Sequence, residues 1–208
     1  MSVVESLFYE QTPTSITMQF VPMRVRASRL EIQLCPGDGG WSLPTGAPSA
    51  SGGLDDEASR LAASLLGLPG TPVQLGAFGR PSSGVSVVYT HLVRPPPPGH
   101  PVPIGSLLGA SWWEVRGVRP APDVEEVVSR AVAKLEYDVE YGRAGFQLVG
   151  DQFTVSELRR VHQAVRGLEL DPSNFRKRVS RWVDDGIVEE LPTLRPTATR
   201  PARLYRLF

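Results

Sequence analysis

The chain has one cysteine, Cys35, among 208 residues, so it can form no internal disulfide and offers no cysteine-based metal cluster. It contains no apolar run near 18 residues and no signal-peptide pattern, which argues against a membrane span and against export. Its three histidines are scattered along the sequence, which disfavours a histidine metal site. These absences predict a cytoplasmic protein with no metal, no cofactor and no membrane partner.

The formal net charge is zero, because 22 Lys and Arg balance 22 Asp and Glu. The balance is uneven along the chain. From Asp151 onward there are 11 basic and 8 acidic residues, whereas the first 150 residues hold 11 and 14. A modestly basic end on an acidic body favours local contact with nucleic acid.

Two helices joined by a short loop are predicted between residues 153 and 183. Thr154 opens the first, because Thr-Val-Ser-Glu fits a capping box, and Gly167 ends it. The second starts near Pro172, with either Asp171 or Ser173 as its cap. Apolar residues recur at helical spacing in both, so each buries one face.

Two strands, predicted over 187–191 and 202–208 around a Pro/Thr-rich tip, follow the second helix. A helix pair followed by such a hairpin is typical of a winged helix-turn-helix. The wing carries Arg195, Arg200 and Arg203, which we expect to reach the DNA backbone or minor groove. The alternative is that the basic residues form only a solvated helix face.

The second helix is predicted to read DNA, since Asn pairs with adenine, Arg pairs with guanine, and both Arg and Lys bind phosphates. The predicted DNA-binding residues are Thr154, Ser156, Ser173, Asn174, Arg176, Lys177, Arg178, Arg181, Arg200 and Arg203. Among these we expect Arg176 to contribute most, followed by Asn174 and Lys177.

The preceding part alternates strands and helices. Strands are predicted over 15–25, 29–34, 73–78, 85–93 and 112–115, and helices over 54–66 and 123–137. This order indicates a mixed sheet between two helices, and the whole chain is expected to be α+β.

The segment from Trp41 to Leu68 resembles a Nudix box, G-x5-E-x7-R-E-U-x-E-E-x-G-U, with U an aliphatic residue. The glycine, arginine and closing pair are matched at intact spacing by Gly46, Arg60, Gly67 and Leu68. The four glutamate positions hold Gly52, Leu61, Ser64 and Leu65. Nudix hydrolysis requires several carboxylates to hold divalent cations against a pyrophosphate. We therefore predict no catalytic residues, no metal ligands and no hydrolysis.

Further segments extend the resemblance over residues 15–208 to the Nudix-related transcriptional regulators, the NrtR-like proteins. These segments are 77–89, Lys134 to Tyr137, 153–177 and Arg200 to Arg206. The resemblance implies a Nudix-like α/β/α mixed-sheet domain, residues 1–140, for effector binding and dimerisation. It also implies a winged helix-turn-helix DNA-binding domain, residues 141–208.

The resemblance further implies a homodimeric repressor that binds a palindromic double-stranded DNA operator and senses an effector such as ADP-ribose. Candidate effector-binding residues are Arg24, Arg26, Trp41, Arg60 and Arg80, although each is equally explained by packing or solvation. Two alternatives stay open: a protein-interaction module, and a Nudix-type hydrolase whose catalytic groups have moved.

Overall fold

The computed structural model describes residues 15–37, 39–49, 52–80, 84–96, 109–197 and 200–208. The side chain of Arg80 lies outside this description, so its predicted effector role stays a prediction. Within these ranges the strands are β1 Ile16–Arg26, β2 Arg29–Gly37, β3 Gly40–Ser42, β4 Thr45–Gly46, β5 Pro72–Arg80, β6 Gly84–Leu92, β7 Ser111–Glu114, β8 Val188–Arg195 and β9 Ala202–Leu207. The helices are α1 Leu54–Leu66, α2 Pro122–Tyr141, α3 Ala144–Gln147, α4 Val155–Arg166 and α5 Pro172–Asp184.

Local sequence signals explain several of these boundaries. Ala27 and Ser28 adopt positive φ angles of 48° and 61°, which close the two-residue turn between β1 and β2. Gly67 takes the left-handed conformation, with φ of 58°, that ends α1. The predicted extents of α1 and α4 are confirmed, and the predicted β1–β2 hairpin is present, with β2 extending three residues beyond the predicted end at Leu34.

The large sheet has the strand order β3-β2-β1-β6-β5, with β4 paired to β1 and β7 paired to β2. β1 runs parallel to β6, whereas the other pairs are antiparallel. The predicted mixed sheet is therefore present. The short strands β3 and β4 were not predicted, and neither was α3.

The sheet buries both of its faces because residues along β1 alternate between two apolar clusters. Met18 and Phe20 pack with α1, whereas Val21 and Met23 pack with α2. The cluster that contains Val21 and Met23 extends beyond the sheet. It continues along α2 into the buried residues of α4 and α5, so the sheet and the helices that follow share one core.

α2 is longer than predicted, because it continues from Tyr137 to Tyr141. The earlier residues of α2 pack on the sheet, and its last turn contacts α4 and α5. The proposed boundary between residues 140 and 141 falls in this last turn. This domain boundary stays a prediction. α2 packs against elements on both sides of the boundary.

α4, α5 and the β8–β9 hairpin form a winged helix. A bridge between Phe153 and Tyr205 joins the start of α4 to the wing. β8 extends to Arg195, beyond the predicted end at Leu191, with an irregularity in the pairing between Glu190 and Leu194. Among the described residues, no helix is long and apolar enough to span a membrane.

Candidate nucleic-acid interface

The sequence around Asp171 fixes where α5 begins. The Asp171 carboxylate accepts a hydrogen bond from the backbone N–H of Asn174 at 2.8 Å, and Pro172 occupies the first turn. Asp171 is therefore the cap, which decides between the two sequence alternatives, and Ser173 lies in the first turn. Phe175 and Val179 then bury one face of the helix.

The opposite face of α5 carries polar and cationic side chains. Ser173, Asn174, Arg176, Lys177 and Arg181 are all exposed. Within the described part of the chain, no ion pair is formed by Arg176, Lys177 or Arg181. Their charges are therefore available to an outside partner, and this face can present hydrogen-bond donors and positive charge to a duplex.

The charge of Arg176 acts on Tyr205, a residue of the wing strand β9. Burial raises the pKa of the Tyr205 hydroxyl on β9, Glu190 raises it further, and the positive charges of Arg203 and Arg176 oppose the rise. Arg176 is thus near enough to β9 to act on Tyr205 electrostatically. A single surface can accordingly join Arg176 to the wing.

The wing itself is held together by ion pairs. Arg203 pairs with Glu190, and Arg206 pairs with Glu189 at 2.6 Å, in both cases across the hairpin. Arg200 is exposed at the start of the returning segment. Exposed ion pairs are weak, so Arg203 can exchange its carboxylate for a phosphate at little cost. DNA contact by Arg200 and Arg203 stays a prediction.

Three of the predicted contacts have partners inside the protein, and DNA contact by these side chains stays a prediction. Thr154 is only 6% exposed, and its hydroxyl accepts a hydrogen bond from the Glu157 N–H at 3.2 Å, as the capping box requires. Arg178 turns away from the exposed face toward Glu140 and lies over the Trp182 ring. Arg195 is half-buried and pairs with Glu157 at 2.7 Å. These side chains shape the winged helix, whereas Ser156 is exposed as predicted for a surface contact.

Replacing Thr154 with alanine tests its role as the cap of α4. We expect a loss of about 0.5–2 kcal/mol in the free energy of unfolding, because the cap loses its oxygen acceptor. Ser156→Ala is the matched control and should change stability by less than about 0.5 kcal/mol, since Ser156 is exposed. Urea unfolding of the two variants measures both effects, and equal stability losses would contradict the assignment.

The altered Nudix helix is α1. Leu61 is buried, Leu65 is half-buried, and both pack toward the segment that contains Gly46. A Cβ at Gly46 would lie 3.0 Å from Leu61 Cδ2 and 3.2 Å from Leu65 Cδ1. Two positions where the Nudix pattern has carboxylates are thus apolar contacts with the preceding loop. Ser64 is exposed and offers one hydroxyl.

Glu57 has a role that the sequence analysis did not identify. Its carboxylate accepts hydrogen bonds from the Ser49 N–H at 3.0 Å, the Ser49 hydroxyl at 2.7 Å and Arg60 Nη2 at 2.6 Å. The hydrogen bonds from Arg60 and then those from Ser49 lower the pKa of Glu57 to about 2. Glu57 also lies beside Gly52, so it supplies a carboxylate near the position where the Nudix pattern has its first glutamate.

Two of the predicted effector residues, Arg24 and Trp41, lie on opposite faces of the sheet. Arg24 is buried, pairs with Glu31 at 2.7 Å and lies 4.0 Å from the centre of the Trp112 ring, which packs in the α1 cluster. Trp41 packs against Trp113 in the α2 cluster, on the other face of the sheet. The packing explanation therefore applies to Trp41, and Arg24 and Trp41 are not brought together.

Arg26 and Arg60 are the more accessible candidates. Arg26 is exposed at the end of β1, and the Arg60 side chain is 55% exposed although it pairs with Glu57. Within the described residues, no group of three or more His, Cys, Asp and Glu is arranged to hold a metal ion.

Comparison with known proteins agrees with this architecture. Residues 145–207 match the family model of the NrtR DNA-binding winged helix domain. The chain is 30% identical over 84 residues to the ADPR responsive transcriptional repressor NtrR of Acinetobacter baylyi. That match covers 40% of this chain and 32% of the relative, so it spans about a third of the relative's length.

Solved structures extend the likeness to the whole fold. NrtR from Shewanella oneidensis, in complex with a 27mer DNA, aligns with a TM-score of 0.75 and 22% identity over 93% of each chain. A MutT/nudix family protein from Enterococcus faecalis aligns with a TM-score of 0.72 and 20% identity, covering 100% of this chain and 94% of the other. The chain thus has the NrtR-like fold, a Nudix-like domain followed by a winged helix.

Proposed function

We propose that this chain, with its NrtR-like fold, is a sequence-specific DNA-binding transcriptional repressor that acts as a cytoplasmic homodimer. Its winged helix, residues 141–208, binds the operator. Its Nudix-like domain, residues 1–140, mediates dimerisation and senses a nucleotide effector such as ADP-ribose without hydrolysing it. The exposed face of α5 carries the proposal, because its cations have no intramolecular ion pairs within the described residues.

Two copies are proposed because one recognition helix contacts too few bases for a useful specificity ratio. A two-fold dimer places its recognition helices roughly 34 Å apart, or at a multiple of that distance, on an inverted repeat. Sequencing the genomic fragments that the full-length protein retains is the direct test. We expect a small set of fragments that share an inverted repeat, whereas retention without a common sequence would contradict the proposal.

The proposal of an inert Nudix-like domain is supported by the packing of α1. Leu61 and Leu65 fill the space near Gly46, and the carboxylate of Glu57 is engaged by Ser49 and Arg60. Hard divalent cations need several oxygen ligands, and no group of three or more His, Cys, Asp and Glu among the described residues is arranged to supply them. The effector is proposed to be a nucleotide because a curated relative is described as responsive to ADPR.

We expect the protein not to hydrolyse ADP-ribose in the presence of Mg²⁺ or Mn²⁺, because α1 lacks the carboxylate cluster that metal-assisted hydrolysis requires. Chromatographic separation of the nucleotides after incubation measures this. Metal-dependent turnover that a single substitution in α1 abolishes would support a hydrolase with relocated groups instead. The absence of salt-dependent binding to DNA would similarly favour a protein-interaction module.

Effector binding by Arg26, Arg60 and Arg80 remains part of this proposal. Arg26 and Arg60 have exposed side chains, whereas Arg24 and Trp41 are engaged in packing. Titrating ADP-ribose against the protein–DNA complex tests the sensing role, and the repressor assignment predicts release of DNA. An unchanged complex would remove ADP-ribose from the proposal and leave DNA binding intact.

A further inference from the structure

Glu140 lies in the last turn of α2 and contacts two other helices. Its Oε2 accepts hydrogen bonds from Arg166 Nη1 at the end of α4, at 2.6 Å, and from Arg178 Nη1 in α5, at 3.0 Å. Arg178 Nη2 also donates to the backbone carbonyl of Glu140. One residue of α2 is therefore bonded directly to the helix that is proposed to read DNA.

The environment of this contact makes it stronger than a surface ion pair. The three side chains are only 26–27% exposed, so solvent screens their charges less than it screens exposed pairs. His162 is buried beside them, and burial followed by the charges of Arg178 and Arg166 lowers its pKa to about 3. Without Glu140, two partly buried cations would lie beside a neutral ring with no carboxylate partner among the described residues.

Glu140 is also fixed relative to the sheet by the buried residues of its own helix. Earlier in α2, Val124, Val128 and Ala131 are buried in the cluster that packs on the sheet. This packing fixes α2 on the sheet, and its last turn contacts α4 and α5. A shift of α2 against the winged helix must change the geometry at Glu140.

α5 packs into the same apolar cluster as α2 through Phe175 and Val179, and Arg178 adds polar contacts to Glu140. Clefts of about 550 Å³ and 1070 Å³ open between the sheet side and the winged helix. The ion pair between Arg94 and Asp151 and the close approach of the Arg116 guanidinium to Gly167 join the two units elsewhere. These contacts hold the ends of α4, whereas Glu140 contacts α5 itself.

We infer that Glu140 is a positioning residue that sets the angle of α5 relative to the Nudix-like domain and thereby determines which half-site spacing the dimer accepts. The inference rests on the proposed function. In a two-fold dimer, the distance between recognition helices follows from the orientation of each winged helix on its own protomer. The contact with Glu140 also accounts for the orientation of the Arg178 side chain, which turns away from the exposed face of α5.

The test compares full-length wild type with Glu140→Gln on duplexes whose two half-sites are moved together or apart in single base-pair steps. The half-sites come from the retained genomic fragments. Wild type is expected to bind one spacing best. Glu140→Gln is expected to lose at least about fivefold of this preference, a typical lower value for energetic coupling between sites. A general loss of DNA contact would instead weaken binding equally at every spacing.

Glu126→Gln is the matched control, because Glu126 forms an exposed ion pair with Arg130 on the same helix. It removes the same charge and should leave the spacing preference of the wild type. Arg178→Lys is a second variant for the case that Glu140→Gln does not fold, since lysine keeps the charge but cannot contact the carboxylate and the carbonyl in the same fork. It should also broaden the accepted spacing.

The outcomes separate the two proposals. A spacing preference that is unchanged in the folded Glu140→Gln variant, or in Arg178→Lys, overturns the inference and leaves the proposed function standing. Wild type that binds no duplex in preference to another overturns the proposed function, and the inference falls with it.

Discussion

Replacing Arg176 with alanine is expected to weaken binding to the preferred duplex by about 1–3 kcal/mol. This corresponds to a rise in Kd of roughly 5- to 150-fold at 25 °C. Arg176 is exposed on α5, forms no ion pair within the described part of the chain, and lies near the wing strand β9. An arginine in this position can donate two hydrogen bonds to a guanine edge, so its loss should also relax specificity at that base.

Equilibrium binding at one fixed salt concentration measures the effect. Arg130→Ala is the matched control, since it removes an exposed arginine from α2 that pairs with Glu126. It should leave the affinity within about twofold of wild type, as expected for a cation away from the duplex. Equal affinities for wild type and Arg176→Ala would remove Arg176 from the interface.

Lowering the pH from about 7 to about 5 is expected to reduce the free energy of unfolding by up to about 2 kcal/mol through His162 alone. The pKa of His162 is lowered to about 3, first by burial and then by the charges of Arg178 and Arg166. The unfolded chain takes up this proton near pH 6.5, whereas the folded chain does not until near pH 3. The stabilisation is therefore complete above about pH 6.5 and is lost as the pH falls toward about 3.

Urea unfolding of wild type and His162→Leu at the two pH values isolates this contribution. The variant should retain stability at about pH 5 better than wild type does, since it has no ring to protonate. Burial also lowers the pKa of His91, so part of the pH dependence should remain in the variant. Identical losses of stability in the two proteins would show that protonation of His162 does not drive the destabilisation.

Local signals made much of the fold predictable. The capping box at Thr154, the glycine at position 67 and the turn at Ala27 each act within four residues, so the sequence alone indicates them. The burial of the Thr154 side chain was not predictable in the same way. A capping residue reveals where a helix starts, but the exposure of its side chain depends on the tertiary structure around it, and Thr154 is only 6% exposed.

Contacts between distant residues could not be predicted. Glu140 is 26 residues from Arg166 and 38 from Arg178, and the apolar spacing of α2 was read as ending one turn before Glu140. Arg178 follows two residues of the exposed face in sequence, yet its side chain turns toward α2. Only the packing of α5 against α2 decides this direction.

The sequence revealed only part of the chemistry of α1, the altered Nudix helix. The missing carboxylates were visible in the sequence, because the spacing of the box is intact around Leu61, Ser64 and Leu65. The apolar packing of Leu61 and Leu65 against Gly46 could be found only from the structure. The same is true of the role of Glu57, whose only sequence signal is its three-residue spacing from Arg60.

The central claim is that the cationic face of α5 binds duplex DNA in a sequence-specific manner. Its most direct test is the affinity of the full-length protein for a duplex from the retained genomic fragments and for a scrambled duplex, measured across about 50–200 mM salt. The account predicts at least about 10³-fold tighter binding to the retained sequence, with a log–log salt slope that falls by about one in Lys177→Ala. Equal affinity for both duplexes, or binding that does not change with salt, would contradict it.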